Sequence, residues 1–168
     1  MAQAKSDAQQ RQSATLPRQM PNPEGRQEDC LQINYHPQGL INLRNSGDVS
    51  KIMSRHFGTA LPQEANRFSV SGDRRALWLG PDESLLMCAD QDAAELHRTL
   101  GTQLTDQHFQ LTLLSDALAV YELNGHYVRE ILAKGCALDL HVSIFRPGQC
   151  AQSTLERASM TLMCEAQN

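Results

Sequence analysis

Apolar residues recur along the chain with two spacings, and the longer spacing predicts three helices. Side chains at i, i+3, i+4 and i+8 share one face of an α-helix, so each such stripe marks a helix that packs against a core. Each stripe is followed by a glycine, which can adopt the left-handed conformation that closes a helix. The stripes are Val49, Ile52, Met53 and Phe57 before Gly58; Ala93, Leu96 and Leu100 before Gly101; and Val128, Ile131 and Leu132 before Gly135. The expected N-terminal residues are Asp48 or Ser46, Asp90 or Asp92, and Asn124.

The shorter spacing, in which apolar and polar residues alternate, predicts strands. Phe109, Leu111 and Leu113 alternate with polar residues, as in a half-buried strand. Further strands are expected around Leu31 and Ile33 and at residues 40–43, 68–70, 117–123 and 158–164. In the last of these, Met160, Leu162 and Cys164 would share one face. Turns are expected at 37–39, where Pro-Gln-Gly occurs, and at Ser115-Asp116.

Residues 75–86 predict a β-hairpin. Two short apolar runs, 76–79 and 84–87, flank a turn, and the only tryptophan, Trp78, lies just before it. Pro81 has the backbone angle required at the second position of a turn, and Asp82 suits the third position. We expect a loop of about four residues.

The order of the elements predicts an α+β fold, with about three helices packed on an antiparallel-rich sheet in two layers. Residues 30–168 would form this single domain. Residues 1–29 contain six glutamines, three prolines and one leucine. Because such a segment buries little apolar area, it is predicted to be disordered. The strand at 158–164 lies near Asn168 with no partner after it, which favours a chain whose C-terminal end is missing.

Composition excludes several classes of protein. The net charge is -4 and the sequence pI is about 5.8, with no basic run, which argues against a partner that is nucleic acid or an anionic membrane. No apolar stretch approaches the roughly 20 residues that cross a bilayer, and the N-terminus lacks the apolar core of a secretory signal. The predicted location is therefore cytoplasmic. Five cysteines without a Cys-x-x-Cys pair argue against a disulfide framework and a zinc site.

Searches for catalytic motifs return only weak candidates. Glycine-rich nucleotide loops, a Gly-x-Ser-x-Gly elbow and His-Glu-x-x-His are all absent from the sequence. Cys136, Asp139 and His141 lie close in sequence and offer a nucleophile with its base, but proximity in sequence is poor evidence for catalysis, and packing, local capping and exposure explain them better. Ser115-Asp116 and the pair Asp82-Glu83 are more simply explained as turn residues. No catalytic, cofactor-binding or metal-binding residue is therefore predicted.

Four side chains are candidates for contact with a partner or for marking the fold. Arg44 and Arg129 can bind a partner's carboxylate through two parallel hydrogen bonds, although surface arginines are common. Trp78 is expected to be a core or interface anchor. Asp82, in the hairpin turn, is grouped with them as a marker of the fold.

Taken together, these segments resemble the γ subunit of bacterial heterotetrameric sarcosine oxidase. The similarity covers roughly residues 40–164 and rests on the order and spacing of motifs. They are Ile41-Asn-Leu-Arg44, Gly58-Thr-Ala-Leu-Pro62, Trp78-Leu-Gly-Pro-Asp-Glu83, Leu123-Asn-Gly-His-Tyr-Val-Arg-Glu-Ile-Leu-Ala-Lys-Gly-Cys-Ala-Leu-Asp-Leu140 and Phe145-Arg-Pro-Gly-Gln-Cys-Ala-Gln-Ser153. The chain departs from the family at Asn45, usually glycine, and at Ser84, usually a bulky residue. It also lacks the strand and closing helix with which members continue.

The resemblance implies a fold like the tetrahydrofolate-binding domain of the glycine cleavage T protein. It also implies a complex that oxidatively demethylates sarcosine to glycine, forms hydrogen peroxide and passes the one-carbon unit to tetrahydrofolate. FAD, FMN, NAD and tetrahydrofolate would reside on the partner α, β and δ subunits, and this subunit would be non-catalytic. Two alternatives stay open. One is a stand-alone tetrahydrofolate-binding aminomethyl carrier, which needs a buried carboxylate from Asp82, Glu83 or Asp116. The other is a hydrolase that uses Cys136.

Overall fold

The computed structural model describes residues 31–166, so the predicted disordered segment 1–29 lies outside the described residues. The strands of the described part are β1 (Gln32–His36), β2 (Gln38–Asn45), β3 (Phe68–Ser71), β4 (Arg74–Gly80), β5 (Glu83–Ala89), β6 (Phe109–Leu113), β7 (Val120–Asn124), β8 (Gln149–Leu155) and β9 (Ala158–Cys164). Its helices are α1 (Ser50–Ile52, continued by a π-turn Met53–Phe57), α2 (Ala93–Gln103, preceded by a 3₁₀ turn Asp90–Asp92) and α3 (Val128–Leu132).

The central sheet has five antiparallel strands in the order β3-β4-β5-β2-β6. Strand β2 lies between β5 and β6, although β5 follows it in sequence only after two other strands and a helix. Two antiparallel ribbons, β1–β7 and β8–β9, complete the sheet structure of the described chain. The predicted α+β class, with three helices and an antiparallel-rich sheet, is confirmed.

Alternation along the central strands produces two buried cores, one on each face of the sheet. Ile41, Leu43 and Leu86 point to the face that α1 and α2 cover. Leu40, Leu77 and Leu85 point to the opposite face, where they pack with Cys150 of β8. Helices therefore cover one face, as expected, and the β8–β9 ribbon contributes to covering the other, which the sequence did not indicate.

Only one of the three predicted glycine stops is correct. Gly58 follows α1 with a φ of 90° and closes the helix, and Asp48 Oδ1 accepts the Ser50 N–H at 2.9 Å at its start. Gly101 lies inside α2, which runs on to Gln103, and does not have a positive φ. Gly135 likewise lacks a positive φ, and its position is explained by crowding, since a Cβ there would lie 3.1 Å from Leu155 Cδ1.

The region around α3 differs from the prediction in three ways. Asn124 is the last residue of β7 and does not cap α3, which begins at Val128 after Gly125 reverses the chain with a φ of 129°. Val128 is buried as expected, but Ile131 is 39% exposed, because α3 is short and presents that residue to solvent. The strand expected at 117–123 begins only at Val120, after a turn at 115–117 that includes the predicted Ser115-Asp116.

Two predicted turns differ from the structure. The 37–39 turn is wrong: Pro37 alone separates β1 from β2, and Gly39 lies within β2 opposite Cys88. A side chain at Gly39 would meet Ala93 Cβ at 2.7 Å, which explains the glycine by close packing of α2. The hairpin is confirmed, but Gly80 pairs with Glu83, so its loop has two residues where about four were expected.

The strand predicted at 158–164 is confirmed as β9, but its partner differs from the expectation. It pairs with β8, which precedes it, from Leu155 opposite Ala158 to Gln149 opposite Cys164. The premise that a partner would have to follow was therefore wrong. Within residues 31–166, no helix has the length and apolar character needed to span a membrane.

Candidate functional site

A groove of about 600 Å³ lies beside the turn of the β4–β5 hairpin. Three chain segments form it: residues 45–50, which connect β2 to α1; residues 61–65, which follow α1; and residues 78–84 of the hairpin. The motifs Gly58-Thr-Ala-Leu-Pro62 and Trp78-Leu-Gly-Pro-Asp-Glu83 therefore meet at one place. A smaller hollow of about 340 Å³ lies at Gly58 and Arg74, whose guanidinium donates to the Phe57 carbonyl at 2.7 Å and so completes the end of α1.

Glu83 is held by two side chains of β2. Asn42 Nδ2 donates to Glu83 Oε1 at 2.8 Å, and Arg44 Nη2 donates to Glu83 Oε2 at 3.2 Å. Arg44 and Glu83 are direct partners across the β2–β5 ladder, so the antiparallel register places their side chains together. The Arg44 guanidinium is thus already paired inside the chain. An additional role in binding a partner stays a prediction.

Asp82 occupies the exposed tip of the hairpin turn. Its backbone carbonyl accepts the Asn45 N–H at 3.0 Å, which joins the turn to the end of β2. Its carboxylate borders the groove, as does that of Asp48. Hydrogen bonds from Ser50 hold the pKa of Asp48 below its usual range, so this group stays ionised near neutral pH.

Trp78 is half-buried and forms part of one wall of the groove. Its backbone N–H donates to the Arg67 carbonyl at 2.9 Å, and its carbonyl accepts Cys150 Sγ at 3.5 Å. Trp78 thus joins the central sheet to the segment before β3 and to β8. The predicted packing role fits these contacts, and a role at an interface stays a prediction.

Arg129 lies on α3 and is not part of the groove lining. Its guanidinium donates to the carbonyls of Leu140 at 2.6 Å and Phe145 at 2.9 Å, and to Cys164 Sγ at 3.4 Å. The side chain therefore joins α3, the segment 140–145 and β9. Its proposed contact with a partner's carboxylate is untested, and its internal contacts were not foreseen.

The suggested nucleophile and base are not bonded to each other. Cys136 is buried and contacts Ser153 Oγ at 3.6 Å, whereas His141 Nδ1 contacts Ser143 Oγ at 2.7 Å. Asp139 accepts the backbone N–H of His141, which is a local turn contact. Ser115 Oγ accepts the Leu40 N–H at 3.0 Å, as a residue that fixes a turn. Over residues 31–166, no group of three or more His, Cys, Asp or Glu side chains is placed to hold a metal ion.

The sequence pattern missed two residues of the groove, Asp48 as a lining carboxylate and Ser84 on its floor. Ser84 is 6% exposed and lies opposite both Leu43 and Trp78 in the sheet. The sequence feature that could have indicated Ser84 is its position: a hydroxyl side chain at a core-facing position of an otherwise apolar strand. Such a residue interrupts the packing of large side chains and leaves space above it.

Comparison with known proteins identifies the family. The protein-family model described as "Sarcosine oxidase, gamma subunit family" matches residues 48–166, more than half of the chain. The chain belongs to that family. Its sequence is 36% identical over 125 residues to the sarcosine oxidase subunit gamma of Corynebacterium sp. (strain P-1), which covers 74% of this chain and 60% of the relative. It is 33% identical over 109 residues to the sarcosine oxidase subunit gamma of an Arthrobacter species, a match that covers 63% of this chain and 52% of the relative.

A solved structure shares the fold. A chain of the heterotetrameric sarcosine oxidase from Corynebacterium sp. U-96, in complex with pyrrole 2-carboxylate, superposes with a TM-score of 0.73 at 24% identity. The match covers 82% of this chain and 71% of that one. The resemblance found in the sequence motifs is thus confirmed at the level of family and fold. The chain spans no more than about 60% of the length of these sarcosine oxidase γ relatives.

Proposed function

We propose that this chain is a non-catalytic γ subunit of a heterotetrameric sarcosine oxidase. The observation that carries the proposal is the family match over residues 48–166, together with relatives that are themselves sarcosine oxidase γ subunits. The contacts of the candidate side chains support an assembly role. Glu83 is neutralised by Arg44, and Cys136 and His141 each bond to a different serine.

The reaction belongs to the complex as a whole. In the proposed reaction, the N-methyl group of sarcosine is oxidised, two electrons pass through flavin to oxygen, and glycine and hydrogen peroxide are formed. The released one-carbon unit passes to tetrahydrofolate. FAD, FMN, NAD and tetrahydrofolate are assigned to the partner α, β and δ subunits, and this chain supplies surface for their assembly.

Reconstitution tests the proposal. The chain is expressed with the three partner subunits, and sarcosine-dependent peroxide production is compared with that of a preparation that lacks it. We expect the chain to co-purify with the flavoprotein subunits and to increase the yield of active complex. Purified alone, it should show no flavin absorbance and no sarcosine turnover. A yellow protein that oxidises sarcosine by itself would refute the non-catalytic assignment.

Calorimetric titration of the isolated chain with tetrahydrofolate separates this role from that of a stand-alone aminomethyl carrier. The carrier would bind tetrahydrofolate saturably at micromolar concentration. An assembly subunit would release no binding heat in that range. The same titration on the reconstituted complex serves as the positive control for tetrahydrofolate binding by the partners.

A further inference from the structure

The floor of the groove carries a largely buried serine whose hydroxyl is open to the groove. Ser84 is 6% exposed and lies between Leu43 of β2 and Trp78 of β4. Among residues 31–166, its hydroxyl, which borders the groove, has no hydrogen-bond partner. The hydroxyl is open to the groove and is not sealed inside the protein, so a hydrogen-bond donor that enters the groove can reach it.

The walls of the groove are rich in acceptors and poor in cations. Asp48 and Asp82 border it, and no lysine, arginine or histidine of residues 31–166 is part of its lining. The third carboxylate, Glu83, is already paired with Arg44. The remaining negative charge favours a positively charged ligand, and the lining includes Trp78, the type of aromatic residue to which cations bind best.

The geometry points to this groove as the binding site for an arginine side chain carried by an extended segment of a partner polypeptide. A planar guanidinium has five donors, which suit carboxylates on the walls and a hydroxyl on the floor, and it stacks on tryptophan better than an ammonium does. Its aliphatic stem would lie along Leu61 and Pro62. The groove, at about 600 Å³, also leaves room for the backbone that carries the arginine.

The inference rests on the proposed function for the source of the arginine, which would be another subunit of the oxidase. The chemistry of the groove stands independently of that source. Because Trp78 is the only tryptophan of the chain, its fluorescence reports directly on occupancy of the groove. The full chain is titrated with the peptide acetyl-Ala-Arg-Ala-amide, and with the peptide in which neutral citrulline replaces arginine.

We expect a saturable change in fluorescence with the arginine peptide, weakened by added salt, and none with the citrulline peptide. Asp82→Asn should weaken binding about threefold to tenfold, because it removes the negative charge that attracts the guanidinium. Ser84→Ala should weaken binding by several-fold, because it removes the hydroxyl that accepts a guanidinium N–H. Ser84→Val should abolish binding by filling the floor with a residue that strands tolerate. Glu95→Gln, on the exposed face of α2, is the matched control and should bind normally. Circular dichroism confirms that each variant folds.

Equal responses to the two peptides, or no response at millimolar concentration, would overturn the inference. So would unchanged affinity in both Asp82→Asn and Ser84→Val. Co-purification with the flavoprotein subunits separates this failure from failure of the proposed function. If assembly proceeds normally in variants that bind no peptide, the assignment of the arginine to an oxidase subunit is refuted and the proposed function stands. If the peptide binds but no sarcosine oxidase subunit co-purifies, the function is refuted and the site stands.

Discussion

Replacing Arg129 with methionine tests the role of the contacts that its guanidinium makes. The substitution keeps an unbranched apolar side chain and removes donors to the carbonyls of Leu140 and Phe145, at 2.6 and 2.9 Å. It also removes the contact with Cys164 Sγ at 3.4 Å. These contacts join three segments of the described chain that share few other hydrogen bonds.

The expected magnitude follows from the two carbonyl contacts. A hydrogen bond that involves a charged group contributes about 1.5–3 kcal/mol, and the half-buried site lets water replace part of what is lost. We therefore expect the free energy of unfolding to fall by about 3 kcal/mol. For a chain of this size, each kcal/mol lowers the melting temperature by about 2–4 °C, so the shift should be about 6–12 °C.

Urea unfolding followed by circular dichroism measures this difference. Arg98→Met is the matched control, because Arg98 is a largely exposed helical arginine whose solvent-screened pair with Glu95 should contribute little to stability. Arg129→Lys should recover part of the loss, since an ammonium can reach only part of the same set of acceptors. If Arg129→Met and Arg98→Met differ by less than about 0.5 kcal/mol, the inferred stabilising role of these contacts is wrong.

Three further predictions concern packing and titration. Gly39→Ala should lower the free energy of unfolding by about 1–3 kcal/mol, because its Cβ would lie 2.7 Å from that of Ala93. Gly101→Ala, at an open position in α2, should raise the free energy of unfolding by about 0.5–1 kcal/mol. If urea unfolding shows that the two glycine substitutions change the free energy of unfolding in the same direction, this account of the packing is wrong. Burial raises the pKa of the Cys88 thiol from 9.0 to about 11, so the folded chain keeps a proton that the unfolded chain releases, and stability should fall as pH rises from about 9 to 11. The urea midpoint of Cys88→Ala should fall less over that interval, and an identical profile would exclude the thiol as the cause. Trp78→Ala should lower stability by about 2 kcal/mol and impair co-purification with the partner subunits; an intact complex that has lost sarcosine oxidation would argue against a packing or interface role.

The elements that the sequence predicted best are those with a regular apolar period. The stripe before Gly58, the hairpin around Trp78 and the strand at 158–164 all appear where they were expected. Local rules are sufficient there, because the spacing of apolar residues alone marks these segments. The glycine rule failed at both other positions: nothing around Gly101 requires glycine, and Gly135 is explained by crowding against Leu155 without a positive φ.

The pairings between distant strands could not be read from local patterns. Strand β2 pairs with β5 and β6, and β1 pairs with β7, yet no residue of these segments specifies its partner. The same is true of the groove, whose lining comes from three separate segments. Its motifs were visible as family markers, but Asp48 and Ser84 acquire their significance only when the hairpin lies beside the start of α1.

The pairing of β1 with β7 has a consequence for how the protein is made. His36 and Glu122, which bond across this ribbon, are 86 residues apart in the chain. At about 5–20 residues per second, a ribosome needs about 4–17 seconds to synthesise the 86 residues between them. During that time β1 has no strand to pair with, and β2 waits similarly for β5 and β6. Non-local pairing of this kind slows folding, so the apolar central strand of the sheet stays unpaired and open to aggregation until the later strands have been made.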